Sequence, residues 1–214
     1  MKKWYKILLL VALSLLLTAC NLQGGQDGTG ESRPVDSTLR CLEISRFSGQ
    51  FVEDGTDRQV TDVAAILVAN YTGKFVDLAT VTYTVGDRTA TFKVTGLADG
   101  EQAWVLESNA MQISPSDQLE FDDCRISYHA DPMLTTDALQ VSRDGHALTL
   151  TNVSSDTLAN VCVYYKNRMD EGMFMGGITY QMIFEDMAPG QTVTLSRDHF
   201  VDRSVIVRFS YQVK

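Results

Sequence analysis

The sequence offers few residues whose type and spacing could support chemistry. Its three histidines, His129, His146 and His199, lie far apart, and none has a second ligand at the spacing of a metal site. We expect all three at the surface or in turns. The chain also lacks a Gly-x-Ser-x-Gly motif and a phosphate-binding loop. The sequence therefore predicts no catalytic residue, no metal site and no cofactor.

Acidic residues are the remaining candidates for a reactive site. Residues 53–57 read EDGTD, and Asp122 adjoins Asp123, but neither stretch has the alternating ligands of a calcium loop. Both are typical of solvated turns. Hydrolysis of a cell-wall glycan would need two acids about 5–9.5 Å apart across a cleft. Because small β-sandwiches rarely provide such a cleft, we expect no enzymatic activity, and a carboxylate enzyme or enzyme accessory is the alternative.

One apolar segment could instead bind a partner. Residues 167–177 read NRMDEGMFMGG. Methionine thioethers can bind Cu(I), but a copper site would more often add histidine or cysteine, and this segment contains neither. Methionines also suit adaptable contact surfaces, and the glycines are expected to make the segment flexible. We predict a partner-binding loop, with packing against the chain itself as the alternative; its residues are Arg168, Met169, Met173, Phe174 and Met175.

The N-terminus predicts export and lipidation. Three lysines in the first six residues precede the apolar run ILLLVALSLLL, which suits a signal peptide and is short for a membrane span. The segment ends in Leu17-Thr18-Ala19-Cys20, which resembles the lipobox of bacterial lipoproteins. The resemblance implies that a signal helix, residues 1–19, is removed and that Cys20 carries diacylglycerol and further acyl chains such as palmitate. Such chains would anchor the protein to the outer face of the bacterial cell membrane.

Charge and composition narrow the partners. The signal segment holds three lysines and no acid, so the remainder has a net charge of −12. Nucleic acid calls for basic residues and is excluded as a partner. We expect the membrane to be contacted through the lipid, and an envelope protein or a cell-wall component to be the partner. Residues 20–38 are rich in Gly and poor in apolar residues, which predicts a disordered tether.

From residue 39 onward, apolar and polar residues alternate, which predicts strands with one buried face. Five pairs of segments recur in the same order, which divides the chain into units 39–130 and 138–214. Asn70 matches Asn152, residues 98–101 match 188–191, and Leu42, expected to face inward with Ile44, matches Leu139. Insertions at 47–60 and 167–177 distinguish the units. The connection at 130–137, which contains a proline, is the predicted boundary.

The repeated turns resemble known modules. The Asn-x-Ser step at Asn152 and the Ala-Pro-Gly-Gln turn at 188–191 are similar to those of bacterial CARDB-type and FxLYD-type modules. The resemblance implies an all-β fold of two tandem immunoglobulin-like β-sandwich domains. It implies a non-catalytic role in binding, adhesion or assembly, and it supplies no catalytic residues.

Three further cysteines follow Cys20. Export brings them into an oxidising compartment, so a disulfide between Cys41 and Cys124, on the first and last strands of the first unit, is one prediction. The alternation of side chains opposes it, because it turns Cys41 outward and Cys124 inward. The bridge therefore stays open at this point, and Cys162 is expected to be a lone thiol.

Overall fold

A computed structural model describes residues 38–56, 58–169 and 172–214. These residues form twelve strands and no helix, so the predicted all-β class is confirmed. No helix able to cross a membrane occurs within those three ranges. The lipobox with Cys20, the signal segment and nearly all of the predicted tether lie outside the described residues. The strands are β1 (Leu39–Gln50), β2 (Gln59–Asn70), β3 (Val76–Val85), β4 (Arg88–Leu97), β5 (Gln102–Leu106), β6 (Glu120–Tyr128), β7 (Leu139–Asp144), β8 (Ala147–Asn152), β9 (Leu158–Arg168), β10 (Phe174–Met187), β11 (Thr192–Ser196) and β12 (Ser204–Val213).

The two halves of the chain have the same strand connectivity. In the first half, β1, β2 and β5 are neighbours, whereas β4, β3 and β6 form a separate three-stranded sheet. In the second half, β7, β8 and β11 form a sheet, and β10, β9 and β12 are neighbours in the same way. The alternating sequence pattern explains the layers, because each strand buries one row of side chains.

A parallel pairing joins the halves. Strand β10 pairs with β5, with Phe174 opposite Ala103 and Met175 opposite Trp104. The result is one six-stranded sheet in the order β1-β2-β5-β10-β9-β12. The halves therefore share backbone hydrogen bonding as well as side-chain contacts. The polypeptide passes from β6 to β7 through residues 129–138, where Met133 makes a single bridge to Phe209 of β12.

The core of the first half includes side chains from both halves of the chain. The first half buries Val81, Tyr83 and Phe92 between its sheets, and the second half contributes Phe174 and Val207 to the same cluster. A second cluster, between the sheets of the second half, contains Tyr165, Phe200 and Met182 among others. Large aromatic side chains supply much of the buried apolar area in both.

The predicted match between Asn70 and Asn152 holds atom by atom. Both residues are fully buried. Each side-chain amide donates to two main-chain carbonyls at 2.8 and 2.9 Å. Each side-chain oxygen accepts from the main-chain N–H and the hydroxyl of the residue two positions on, Thr72 or Ser154. A buried amide with every group paired fixes one turn geometry in each half.

The predicted match between Leu42 and Leu139 is wrong by three residues. Leu39 lies opposite Asn70, as Leu139 lies opposite Asn152. Leu39 is fully buried, whereas Leu42 and Ile44 are 40% and 41% exposed. A bulge between Cys41 and Glu43 shifts the register of β1, and a bulge reverses which side chains face the core.

Candidate ligand-binding cleft

The insertions that distinguish the two halves meet each other. Residues 47–60 extend the β1–β2 hairpin, and residues 167–177 extend the β9–β10 hairpin. The carboxylate of Glu53, from the first insertion, accepts the backbone N–H of Gly177 at 2.8 Å and that of Ile178 at 3.2 Å. It also accepts the N–H of Leu106 at 2.9 Å. Burial raises the pKa of Glu53, and these N–H donors and the charge of Lys166 oppose the rise.

A buried lysine holds the same segment from the other side. Lys166 of β9 is 1% exposed, and its Nζ donates to the carbonyl oxygens of Gly177 at 2.7 Å and Thr95 at 3.0 Å. Burial lowers the pKa of Lys166 to about 8, although the charges of Glu53 and Glu101 oppose the shift. Both polar groups of the Gly177 backbone are thus bound, the N–H by Glu53 and the C=O by Lys166.

Glycine at 176 and 177 is required by close packing. A Cβ at Gly177 would lie 1.8 Å from the carbonyl oxygen of Lys93 in β4. A Cβ at Gly176, where φ is +88°, would lie 2.7 Å from a methyl group of Val52. The prediction that these glycines make the segment flexible is therefore wrong, because they let β10 approach β4 and the first insertion closely.

Phe174 was predicted to contact a partner, and the structure contradicts this. Its side chain is 1% exposed and belongs to the core of the first half. The guanidinium of Arg168 lies 5.0 Å and the Nζ of Lys166 lies 5.6 Å from its ring centre, within the range of cation–π attraction. The alternative of packing against the chain itself therefore describes Phe174. Met173 is partly buried, and its carbonyl accepts the N–H of Met169 in a tight turn.

Three of the predicted loop residues, Arg168, Met169 and Met175, line a cleft of about 300 Å³. The cleft lies beside the Glu53–Gly177 contact, and both insertions contribute to it. Its other lining residues are Phe47, Gln50, Val52, Asn167, Tyr180 and Arg203. Sequence reasoning missed Phe47, Gln50 and Val52, although the mismatch between the repeats had marked their segment. Nothing in the order of the strands indicates that the two insertions meet.

Two arginines line the cleft, and one of them is paired with an acid. Arg168 and Arg203 are the charged residues among those that line it. The Nη2 of Arg168 donates to Glu101 at 3.1 Å. Its Nε is buried and has no hydrogen-bond partner within the part of the chain that the structure describes. A buried N–H without an acceptor leaves about 1–3 kcal/mol of desolvation unrecovered.

Tyr180 forms the aromatic wall of the cleft on the side of the second half. The ring of Tyr180 lies 4.5 Å from His199 and stacks on Tyr165 at 5.5 Å. Its hydroxyl donates to the carbonyl of Val52 at 3.3 Å, which connects the wall to the first insertion. Burial raises the pKa of Tyr165. These contacts therefore hold the ring of Tyr180 in place.

The remaining predicted residues lie elsewhere. Cys41 and Cys124 are free thiols, so the bridge between them is not formed. Cys41 lies in the six-stranded sheet, whereas Cys124 lies on β6, which pairs with β3 in the other layer. The absence of the bridge agrees with the alternation of side chains, which opposed it. Burial raises the pKa of Cys124 to about 12, which makes it a poor nucleophile. Cys162 is a free thiol, as predicted.

Predicted turn residues also have defined places. His146 and His199 lie in turns, and His129 follows the end of β6. Asp54 accepts from the N–H and hydroxyl of Thr56 in a local turn. No cluster of three or more possible metal ligands occurs in the ranges that the structure describes.

In comparisons with known proteins, the chain matches no protein-family model and no curated protein.

Proposed function

We propose that this protein is an exported, lipid-anchored binding module of the bacterial cell envelope, and that the cleft between its halves holds the ligand. The observation that carries the proposal is the convergence of the two insertions on one cleft. The repeated segments recur in both halves, whereas each insertion occurs once and lies at the junction between the halves. Ligand sites often lie where two structural units meet.

The halves are two tandem immunoglobulin-like modules in this proposal. Their identical connectivity and their equivalent buried asparagines support it. The resemblance to CARDB-type and FxLYD-type modules points the same way and favours binding, adhesion or assembly. Cys20 carries the lipid, and the partner is an envelope protein or a cell-wall component.

Binding is favoured over glycan hydrolysis. Among the residues that the structure describes, Glu53 and Glu101 lie at the junction, and both are engaged by the protein. Glu53 is held by three backbone N–H groups, and Glu101 pairs with Arg168. A general acid and base would need to face a substrate across a cleft. The described residues that line the cleft are instead two arginines, two amides and apolar or aromatic side chains, with no acid among them.

Replacing Cys20 tests the anchor. Cys20→Ala should leave the chain in the soluble fraction or as an uncleaved precursor, because no thiol remains for acylation. Cys41→Ala is the matched control and should remain membrane-bound. Fractionation and precursor size are the measurements. A Cys20→Ala protein that is processed and membrane-bound like the wild type would refute lipidation.

Filling the cleft tests the binding module. Met169 lies in the turn between β9 and β10, so Met169→Trp should fill the cleft without disturbing the core. Retention of the full chain on native envelope material should fall at least tenfold. Leu134, which is 45% exposed and does not line the cleft, supplies the control Leu134→Trp. Unchanged retention in Met169→Trp would refute the cleft as the site. Release of soluble glycan fragments, abolished by Glu53→Gln, would favour the enzyme.

A further inference from the structure

A second pocket lies at the junction of the two halves and shares no lining residue with the cleft. It has a volume of about 300 Å³, and both halves contribute to it, with Asp77 of β3 on one side and Arg208 of β12 on the other. Thr179 lines this pocket, whereas the next residue, Tyr180, lines the cleft. Because successive residues of a strand point to opposite faces, the pocket and the cleft lie on opposite faces of β10.

An ion pair joins the halves at this pocket. The Nη1 of Arg208 lies 3.2 Å from the Oδ1 of Asp77. The same guanidinium lies 4.1 Å from the ring centre of Tyr164, which also lines the pocket. The two contacts hold Arg208 in place. Among the described residues that line the pocket, Asp77 and Arg208 are the charged ones, and their charges compensate each other. The pocket therefore favours a neutral ligand over an anion or a cation.

Both members of the ion pair keep hydrogen-bonding atoms for a ligand. Their mutual bond uses one oxygen of Asp77 and one nitrogen of Arg208. Within the described part of the chain, Oδ2 of Asp77 and the Nε and Nη2 of Arg208 have no hydrogen-bond partner, and none of these three atoms is fully buried. A ligand can therefore reach a carboxylate acceptor and guanidinium donors side by side.

A threonine hydroxyl adds an acceptor to the same pocket. The Oγ1 of Thr95 donates to the carbonyl of Gly177 at 3.2 Å and lies 2.8 Å from the Oγ1 of Thr179. Because a hydroxyl has one proton, Thr179 donates to Thr95, and the oxygen of Thr179 retains a lone pair for a ligand. Gly96 leaves room beside it, since a Cβ there would lie 2.7 Å from the Oγ1 of Thr179. The polar groups of the pocket thus both donate and accept.

The remaining lining is apolar. Phe75 and Val207 are buried, and Leu78 is 41% exposed. Apolar side chains beside adjacent donors and acceptors suit a sugar ring, because its C–H faces are apolar and its hydroxyls both donate and accept. A volume of about 300 Å³ holds roughly ten non-hydrogen atoms, taking about 30 Å³ for each. This size is comparable to one pyranose unit.

We propose that this second pocket binds one neutral sugar unit of a saccharide. Neighbouring hydroxyls of the sugar donate to Oδ2 of Asp77 and accept from Arg208, and the ring lies against Leu78. The binding is reversible, and no bond is made or broken. The site is separate from the cleft, and it holds whether or not the cleft binds a ligand.

The test uses methyl glucoside, methyl galactoside and methyl mannoside as probes. Saturation-transfer NMR measures their binding to the full chain in nanodiscs of zwitterionic lipid, with empty nanodiscs as the reference. Cyclohexylmethanol is the control, because it has a six-membered ring and a single hydroxyl. At least one glycoside should bind saturably and at least tenfold more tightly than cyclohexylmethanol. The absence of saturable binding by all three glycosides would overturn the proposal, as would equal affinity for cyclohexylmethanol.

Variants locate the sugar in the pocket. Asp77→Asn removes the charged acceptor and should weaken glycoside binding at least tenfold. Asp123→Asn is the matched control, because Asp123 also pairs with an arginine, Arg125, and does not line the pocket. Leu78→Trp fills the pocket from an exposed position and should abolish binding, whereas Leu134→Trp, outside the pocket, should not. If Asp77→Asn does not fold, Leu78→Trp decides alone. Glycoside affinity that is unchanged in a folded variant at either position would overturn the assignment.

The same assay separates the pocket from the cleft. Met169→Trp fills the cleft and should leave glycoside binding unchanged. Loss of glycoside binding in Met169→Trp would assign the sugar to the cleft and overturn the pocket. If no glycoside binds but Met169→Trp still reduces retention on envelope material, the proposed function of the cleft stands and the saccharide site is wrong.

Discussion

The buried asparagine turns and the buried junction between the halves differ in how often they occur in the protein. The asparagine turns occur twice, once in each half, with the same donors and acceptors and nearly the same distances. The junction formed by Glu53, Lys166 and Gly177 occurs once, and neither insertion has a counterpart in the other half. A polar group found in both halves serves the folding of each half. A polar network found once serves what the halves do together, which is to fix their arrangement and to form the cleft.

The largest loss of stability should come from a substitution at the junction between the halves. Gly177→Ala places a Cβ 1.8 Å from the Lys93 carbonyl, a contact that only a backbone shift can relieve. The free energy of unfolding should fall by about 3 kcal/mol or more, as in severe overpacking. Urea unfolding of the full chain, followed by the fluorescence of Trp104 in β5, measures it.

Gly145→Ala is the matched control for this substitution. Gly145 has φ of +55° in a turn, and its Cβ would meet nothing within 4 Å. Its cost should be about 1 kcal/mol, from backbone strain alone. Equal effects at the two glycines would mean that β10 does not approach β4 as closely as described.

Alanine substitutions in the two asparagine turns should lower the free energy of unfolding by similar amounts. Asn70→Ala and Asn152→Ala each remove one buried amide and leave its partners unpaired, so each should lower the free energy of unfolding by roughly 3 kcal/mol. Asn109→Ala, at an exposed position, should change it by less than about 0.5 kcal/mol. A large effect at only one of the two buried asparagines would break the equivalence of the halves.

The buried Lys166 predicts that the free energy of unfolding depends on pH. Its folded-state pKa, about 8, lies below the ordinary value of 10.5. Between these values the unfolded chain binds more protons, so the free energy of unfolding rises with pH through this range. Below pH 8 the cost of the buried charge is present in full.

Comparison with Lys166→Met isolates this contribution. The difference in unfolding free energy between the wild type and the variant should shift in favour of the wild type by up to about 1.4 kcal/mol per pH unit from pH 8 to 10. The comparison cancels the titration of groups that do not interact with Lys166. A difference that stays constant over this range would show that Lys166 titrates normally.

The sequence predicted what each half dictates locally. Alternation predicted the strands, and the repeat located Asn152, because a buried asparagine turn needs only neighbouring residues. The junction could not be predicted, because the Glu53–Gly177 contact spans 124 positions and depends on how the halves dock. Phe174 shows the same limit. An apolar residue in a glycine-rich loop fits a partner surface or a distant core equally well, and only the fold distinguishes them.

The smallest change in the free energy of unfolding should come from a substitution at Leu42 in β1. This substitution tests the register of β1, which the repeat alignment predicted wrongly. Leu42→Ser should change the free energy of unfolding by less than about 0.5 kcal/mol, because Leu42 is 40% exposed and the bulge turns it from the core. Leu39→Ala should cost about 3 kcal/mol, because Leu39 is fully buried opposite Asn70. The two substitutions therefore differ about sixfold in the register described, and the order would reverse in the register predicted from the repeat. Urea unfolding of the two variants side by side decides between the registers, and a costly Leu42→Ser with a harmless Leu39→Ala would remove the bulge between Cys41 and Glu43.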